Sequence, residues 1–351
     1  MVFEKTVMHR RAFLSLLVAA ATLPHFAFAD AGEAMPVTDD AAWASWKSAF
    51  LMGDGRVVDQ LQQDASHTEG QGYGLVLSVY HGDRAAFEAI RAWTFANLGA
   101  RSDGLLNWKR VPGAATAEAA NATDGDIFVA WGLMLGADRF DIPEARAQAS
   151  RIATAISALC LAADPRNPAR LILLPAADGF LHGTKAIINP SYIMPRALYD
   201  LAGLIRDARL AQVASDGLDL LDDLAAASAV PNWVEIDVAG ARPSTEHPAQ
   251  FGYDAMRVAL YLVWSGRLDH AAVRKAAEVY GQAAATATPV VLDLDRGEVQ
   301  ESSTYPGFAA LHDLLDGRRI NVGGLDVAQG YYPATIEMLC RLAAEDSAPA
   351  M

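Results

Sequence analysis

The sequence predicts an all-α protein, a toroid of helical hairpins with a few short strands in its loops. Three observations predict it. Apolar residues recur at helical spacing in stretch after stretch of the 351-residue chain. Only "RLILLPA" at 170–176 and "TPVVLDLD" at 288–295 look extended, too few for a central sheet. The connections are long, which suits a toroid better than a bundle, and no Pro/Ser-rich linker divides the chain, which favours one domain.

The predicted helices run 40–53, 69–81, 84–98, 125–137, 143–162, 191–204, 208–227, 252–265, 270–285, 304–315 and 331–344. In the second, "LVLSVYHG" reads as a buried helix behind Glu69. In the fourth, Ile127, Ala130, Trp131 and Met134 make one face. The eighth is very apolar behind Asp254 and Arg257. Cys160 ("ISALCLAA") and Cys340 ("IEMLCRLAA") lie in apolar helical runs and read as core rather than as a disulfide. The long connection "LGARSDGLLNWKRVPGAATAEAANATDGD" is of the kind that carries function.

Residues 1–29 read as an export signal, leaving 30–351 as the mature single domain. Arg10 and Arg11 precede an apolar run from Ala12 to about Leu23, and Ala27-Phe28-Ala29 fits an A-x-A cleavage site. "HRRAFLS" partly matches a twin-arginine signal. The run is short for a bilayer span, so the expectation is a periplasmic or secreted protein with no membrane anchor in the mature chain. The leader holds three cations (Lys5, Arg10, Arg11) and one anion (Glu4), so its removal takes the formal charge from −14 to −16. Such a chain repels nucleic acid and anionic lipid and leaves neutral substrates open. The histidines show no H-E-x-x-H pair, so no metal and no cofactor is expected.

Three acids stand at helix starts. Glu69 is followed by glycines at 70, 72 and 74. Each glycine costs a helix about 1 kcal/mol relative to alanine. They are expected to strip side chains from the helix so that a ligand lies close to the acid. Ser66-His67-Thr68-Glu69 also fits an S-x-x-E capping box, which would make Glu69 a cap. Asp124 and Asp126 flank Gly125; Asp124 can be an N-cap and Asp126 can favour the helix dipole. Asp254 and Arg257, three apart, can form an ordinary helical ion pair. Most helical aromatics read as core, whereas Trp108, Trp233 and Tyr192 sit in loops or at helix starts, where flat apolar faces suit sugar rings.

The motifs "TEGQGYGLVLSVYHGDRAAFEAIRAWTFANL", "LLNWKR", "ATDGDIFVAWGLML", "NPSYIMPRALYDL", "PNWVEI", "YDAMRVALYLVW" and "GYYPATIEMLCRLA" resemble, in that order, glycoside hydrolase family 8. Within it they are most similar to the periplasmic cellulases encoded with bacterial cellulose synthases. Val129 and Phe140 depart from the family signature without touching a proposed catalytic group. The resemblance implies an (α/α)6 barrel and inverting hydrolysis of β-1,4-glucan. It implies Glu69 as general acid, Asp254 as general base and Asp124 as the residue that holds and distorts the sugar at the cleavage point. Tyr192 and Tyr253 would help place sugar and water, and Arg257, Trp108 and Tyr73 complete the expected substrate-binding set. A cellulose chain is the implied partner, with association with a synthase complex as a further expectation. Xylan, chitosan or mixed-linkage glucan stays open as substrate, as does a glucan-binding assembly protein with little activity.

Overall fold

The computed structural model describes residues 40–282, 287–318, 320 and 323–347. The expected export signal and the last residues of the 270–285 stretch lie outside the described residues.

Eleven α-helices follow one another among the described residues. They are α1 (Asp40–Phe50), α2 (Thr68–Tyr80), α3 (Arg84–Leu98), α4 (Thr123–Phe140), α5 (Pro143–Leu159) and α6 (Pro195–Ile205). There follow α7 (Ala208–Ala227), α8 (Met256–Trp264), α9 (Ala271–Tyr280), α10 (Pro306–Leu315) and α11 (Tyr331–Asp346). Local chemistry sets many of the ends. Asp83 and Asp207 cap α3 and α7, accepting from the backbone N–H of Ala86 and Arg209. Proline opens α5, α6 and α10, where its missing N–H is not needed.

Helix α2 packs on α4, α4 on α6, α6 on α8, α8 on α10 and α11, and α11 returns to α2, so six helices close a ring. Helices α1, α3, α5, α7 and α9 lie against that ring. The architecture is an (α/α)6 barrel. α2, α4, α8 and α11 are buried on nearly every face, which is why their sequences are apolar all round. Trp46, Trp131, Trp264 and Phe128 fill the core between them. Cys160 and Cys340 are buried and unpaired, core residues as expected.

The strands decorate loops. Residues 170–173 and 288–293 are extended, as read from sequence, in the pairings 161–164 with 167–173 and 288–293 with 298–303. The sequence reading does not anticipate a four-stranded antiparallel sheet of 181–182, 185–188, 234–237 and 240–243. Strand 66–67 pairs with 109–110 and ties the long 99–122 connection to the start of α2. At the far end of the ring Asp346 at the end of α11 accepts hydrogen bonds from Trp264 Nε1 (2.8 Å), Arg196 Nη1 (2.5 Å) and the Tyr80 hydroxyl. This contact closes the base of the barrel.

Candidate active site

Five of the six ring helices begin around one cavity; α6 starts deeper, where Arg196 N donates to Ser265 Oγ (3.1 Å) at the end of α8, and the turn ahead of it brings Tyr192 to the same cavity. Its volume is about 430 Å³, and its walls include Glu69, Asp124, Tyr192, Arg257, Tyr305 and Tyr332, each at or just before the start of a different ring helix. Parallel helix N-termini point backbone N–H groups and positive dipole ends into this space. Carboxylates placed there are held by that field.

Glu69 is the second residue of α2 and Asp124 the second residue of α4. The expected capping box is not formed. His67 is the N-cap of α2, its Nδ1 accepting from Gly70 N at 3.0 Å, so Glu69 is free of capping. The glycines also do something other than expected. A Cβ on Gly72 would stand 2.6 Å from Phe128 Cβ and 2.9 Å from Val129 N, both on α4. A Cβ on Gly125 would stand 1.9 Å from Thr68 Oγ1 and 2.7 Å from Glu69 N. Gly70 faces Tyr331 and Gly74 faces Val57 and Ile90. These glycines admit protein, not ligand. They let α2 and α4 touch backbone to backbone, and that contact brings Glu69 beside Asp124.

The consequence is electrostatic. Asp124 is 7 % exposed. Burial first, and then the neighbouring Glu69 carboxyl, push its carboxyl well above the usual carboxylate range. Asp254 lies in the turn before α8. Its Oδ1 accepts from Arg257 Nη2 at 2.8 Å, the ion pair that the spacing allows. Arg257 does more than that pair: Nη1 donates to Glu69 Oε2 and Nη2 also donates to Ser191 Oγ at 2.9 Å. One buried guanidinium therefore joins Glu69 to Asp254, residues 69 and 254 of the chain. Desolvation pulls Arg257 down, but attraction to Glu69 together with Tyr73, Tyr332 and Tyr261 outweighs it and holds the guanidinium above its ordinary value.

Of the other expected residues, Tyr192, Tyr253 and Trp108 line the cavity with Arg257. Tyr192 sits in a short turn, Pro190–Tyr192, capped by Asn189, just ahead of α6, so α6 starts later than the predicted 191. Burial and the nearby Asp124 raise its hydroxyl above the usual range. Tyr253 is 40 % exposed and donates to Glu301 at 2.5 Å. Trp108 Nε1 donates to Glu118 at 2.9 Å, leaving the indole at the rim. Tyr73 is a correction. It is 1 % exposed and absent from the cavity wall; its ring packs edge-on to Phe128 and its hydroxyl meets that of Tyr261. Position 73 points into the core because it is one helical turn along from Glu69 on a helix buried all round. Trp233 is not on this wall either; it stacks on His247 (4.5 Å) and Phe180 (5.9 Å). Asp126 is fully buried and holds the 99–122 connection by accepting from Leu106 N (2.9 Å) and Asn121 Nδ2 (3.0 Å).

Sequence reasoning did not single out Asp59, His67, Tyr305, Gln329 or Tyr332, which also line the cavity. For Tyr332 a signal was present: "GYYP" puts two tyrosines at a helix start, of which Tyr331 turns inward and Tyr332 faces the cavity, its hydroxyl donating to Tyr253 O. Among the described residues no group of three or more His, Cys, Asp and Glu side chains has the arrangement of a metal site.

A model of the glycosyl hydrolases family 8 matches residues 16–346. The chain belongs to this family. It is therefore a glycoside hydrolase. A probable endoglucanase of Novacetimonas hansenii is 31% identical over 328 residues, covering 90% of this chain and 93% of that protein. An endoglucanase of Cellulomonas uda is 31% identical over 286 residues, covering 79% and 77%. The structure of the endo-beta-1,4-glucanase CMCax from Acetobacter xylinum superposes with a TM-score of 0.80 at 28% identity, covering 89% of this chain and all of that one.

Proposed function

We propose that this family 8 hydrolase is an endo-β-1,4-glucanase that cleaves cellulose-type chains with inversion, Glu69 acting as general acid and Asp254 as general base. The observation that carries the reading is the Arg257 guanidinium, which binds Glu69 and Asp254 through different nitrogens. Carboxylates so held line one cavity with a single guanidinium between them. An inverting enzyme needs about 6.5–9.5 Å between the two groups for the attacking water.

Glu69 gives its proton to the glycosidic oxygen as the C–O bond breaks. Asp254 takes a proton from the water whose oxygen attacks the anomeric carbon from the opposite face. Asp124 holds the sugar at the cleavage point, Tyr192 and Tyr253 place sugar and water, and the Trp108 face at the rim receives a sugar ring further along the chain.

The endoglucanase names of the relatives in Novacetimonas hansenii and Cellulomonas uda support a glucan as substrate. The resemblance of the chain's motifs to the cellulases encoded with bacterial cellulose synthases supports action on nascent cellulose during its synthesis, outside the cytoplasm after loss of residues 1–29, by one domain spanning 30–351. Among the described residues no helix is long and apolar enough to cross a membrane. The test is reducing-sugar release from carboxymethyl cellulose by the mature protein, with Glu69→Gln alongside. Activity in the parent and none in the folded variant supports the reading. An inactive, folded parent that cleaves xylan or chitosan instead would replace the substrate.

A further inference from the structure

We propose that His67, steadied by Asp59, is a positioning residue for Glu69: an imidazole cap that fixes the first turn of α2 and so aims the acid into the cavity. The inference rests on the reading of Glu69 as the acid. Neither residue is needed to explain the chemistry above, yet both line the cavity and both are nearly buried, at 6 % and 7 % exposed for Asp59 and His67.

The geometry is directional. A backbone N–H donates into His67 Nδ1, so that nitrogen carries no hydrogen and the neutral ring must be protonated on Nε2. Nε2 faces Asp59 Oδ2 at 3.9 Å. Asp59 is itself fixed, accepting from Leu61 N at 3.0 Å and from Gln62 Nε2 at 2.9 Å. Burial raises its carboxyl, but the His67 contact and its other hydrogen bonds outweigh that and hold it below its ordinary value. On the other side the Tyr331 ring meets the imidazole edge-on at 5.9 Å. Behind, residues 66–67 pair with 109–110, and Thr68 N donates to Trp108 O at 2.8 Å. The ring therefore has one allowed orientation, and the N–H it accepts from belongs to the residue after Glu69. An acid that must reach a glycosidic oxygen tolerates little backbone error, because a misplacement near 1 Å can cost about 10²-fold in rate. A short serine or threonine cap would satisfy Gly70 N but would not reach Asp59.

The experiment measures kcat and KM on carboxymethyl cellulose for the parent, His67→Ala and His67→Asn, with the ring tautomer of the parent read by 15N NMR. Asparagine restores a cap acceptor without the imidazole. The expected result is a kcat lower by about tenfold or more in His67→Ala, with KM within about twofold, and substantial recovery in His67→Asn. The expected tautomer is hydrogen on Nε2. An active parent with unchanged kcat in His67→Ala overturns the proposal, as does a His67→Asn variant no better than the alanine. If His67→Ala does not fold, the tautomer decides: hydrogen on Nδ1 excludes the cap. An inactive parent instead removes the glucanase reading on which the inference stands.

Discussion

Replacing Gly125 by alanine should damage both the barrel and its chemistry. The added Cβ would stand 1.9 Å from Thr68 Oγ1 and 2.7 Å from Glu69 N. Thr68 is buried, and the second contact is with backbone, which no side-chain rotation relieves. Bringing that contact out to an ordinary separation of about 3.5 Å requires α4 and α2 to part by about 0.8 Å. Overpacking of this kind costs about 1–3 kcal/mol. For a domain of this size it lowers the melting temperature by about 2–6 °C. The movement falls between Glu69 and Asp124, so kcat should drop about 10- to 100-fold. Gly203→Ala is the matched control. Gly203 is exposed within α6 and its Cβ would meet nothing within 4 Å. That change should stabilise by about 0.5–1 kcal/mol and leave kcat alone. Thermal unfolding and reducing-sugar assays read both effects. A Gly125→Ala enzyme with parental kcat would refute the claim that the glycine contact sets the acid pair.

Three further outcomes are expected. Asp124→Asn removes the carboxyl that stands beside Glu69, and kcat should fall about 10²- to 10⁴-fold with the fold intact by circular dichroism. Burial pushes Asp126 up to about 7, Asp200 to about 6 and Glu345 to about 7. Groups raised in the folded state stabilise below their ordinary value near 4 and lose that contribution as pH rises through about 6–7, so the melting temperature should be higher at pH 5 than at pH 8. Glu337→Ala leaves Arg341 buried without the carboxylate it meets at 2.5 Å and frees Gln329, which donates to Glu337 at 2.8 Å; destabilisation of about 3–5 kcal/mol is expected in chemical denaturation.

Much of the barrel was legible because its helices are long, periodic and clearly punctuated. α3 and α7 begin and end where apolar spacing puts them, and the structure adds an aspartate cap to each. α8 begins at Met256 rather than 252 because the Tyr253–Asp254 turn breaks the helix there, and an apolar run does not reveal such a break. The meeting of Glu69, Asp124 and Arg257 at one cavity was expected through the family resemblance; spacing alone also allowed a cap, a dipole partner and a local ion pair. The glycines were visible and their partner was not. A residue without a side chain marks a close approach, and the sequence does not say whether helix or ligand approaches. His67 was hidden by the S-x-x-E template, which places the cap one residue too early. Tyr73 was misread because, although a tyrosine one turn beyond the acid shares its face, it lies deeper along a helix buried all round, below the cavity.

The most direct test of the account is the stereochemistry of hydrolysis. Cellohexaose is incubated with the mature enzyme and the first anomer of the new reducing end is followed by proton NMR. The account predicts the α-anomer first, equilibrating later to the mixture, because water enters opposite the leaving oxygen under Asp254. The β-anomer appearing first would mean retention and a covalent intermediate, and would contradict the roles given to Glu69 and Asp254.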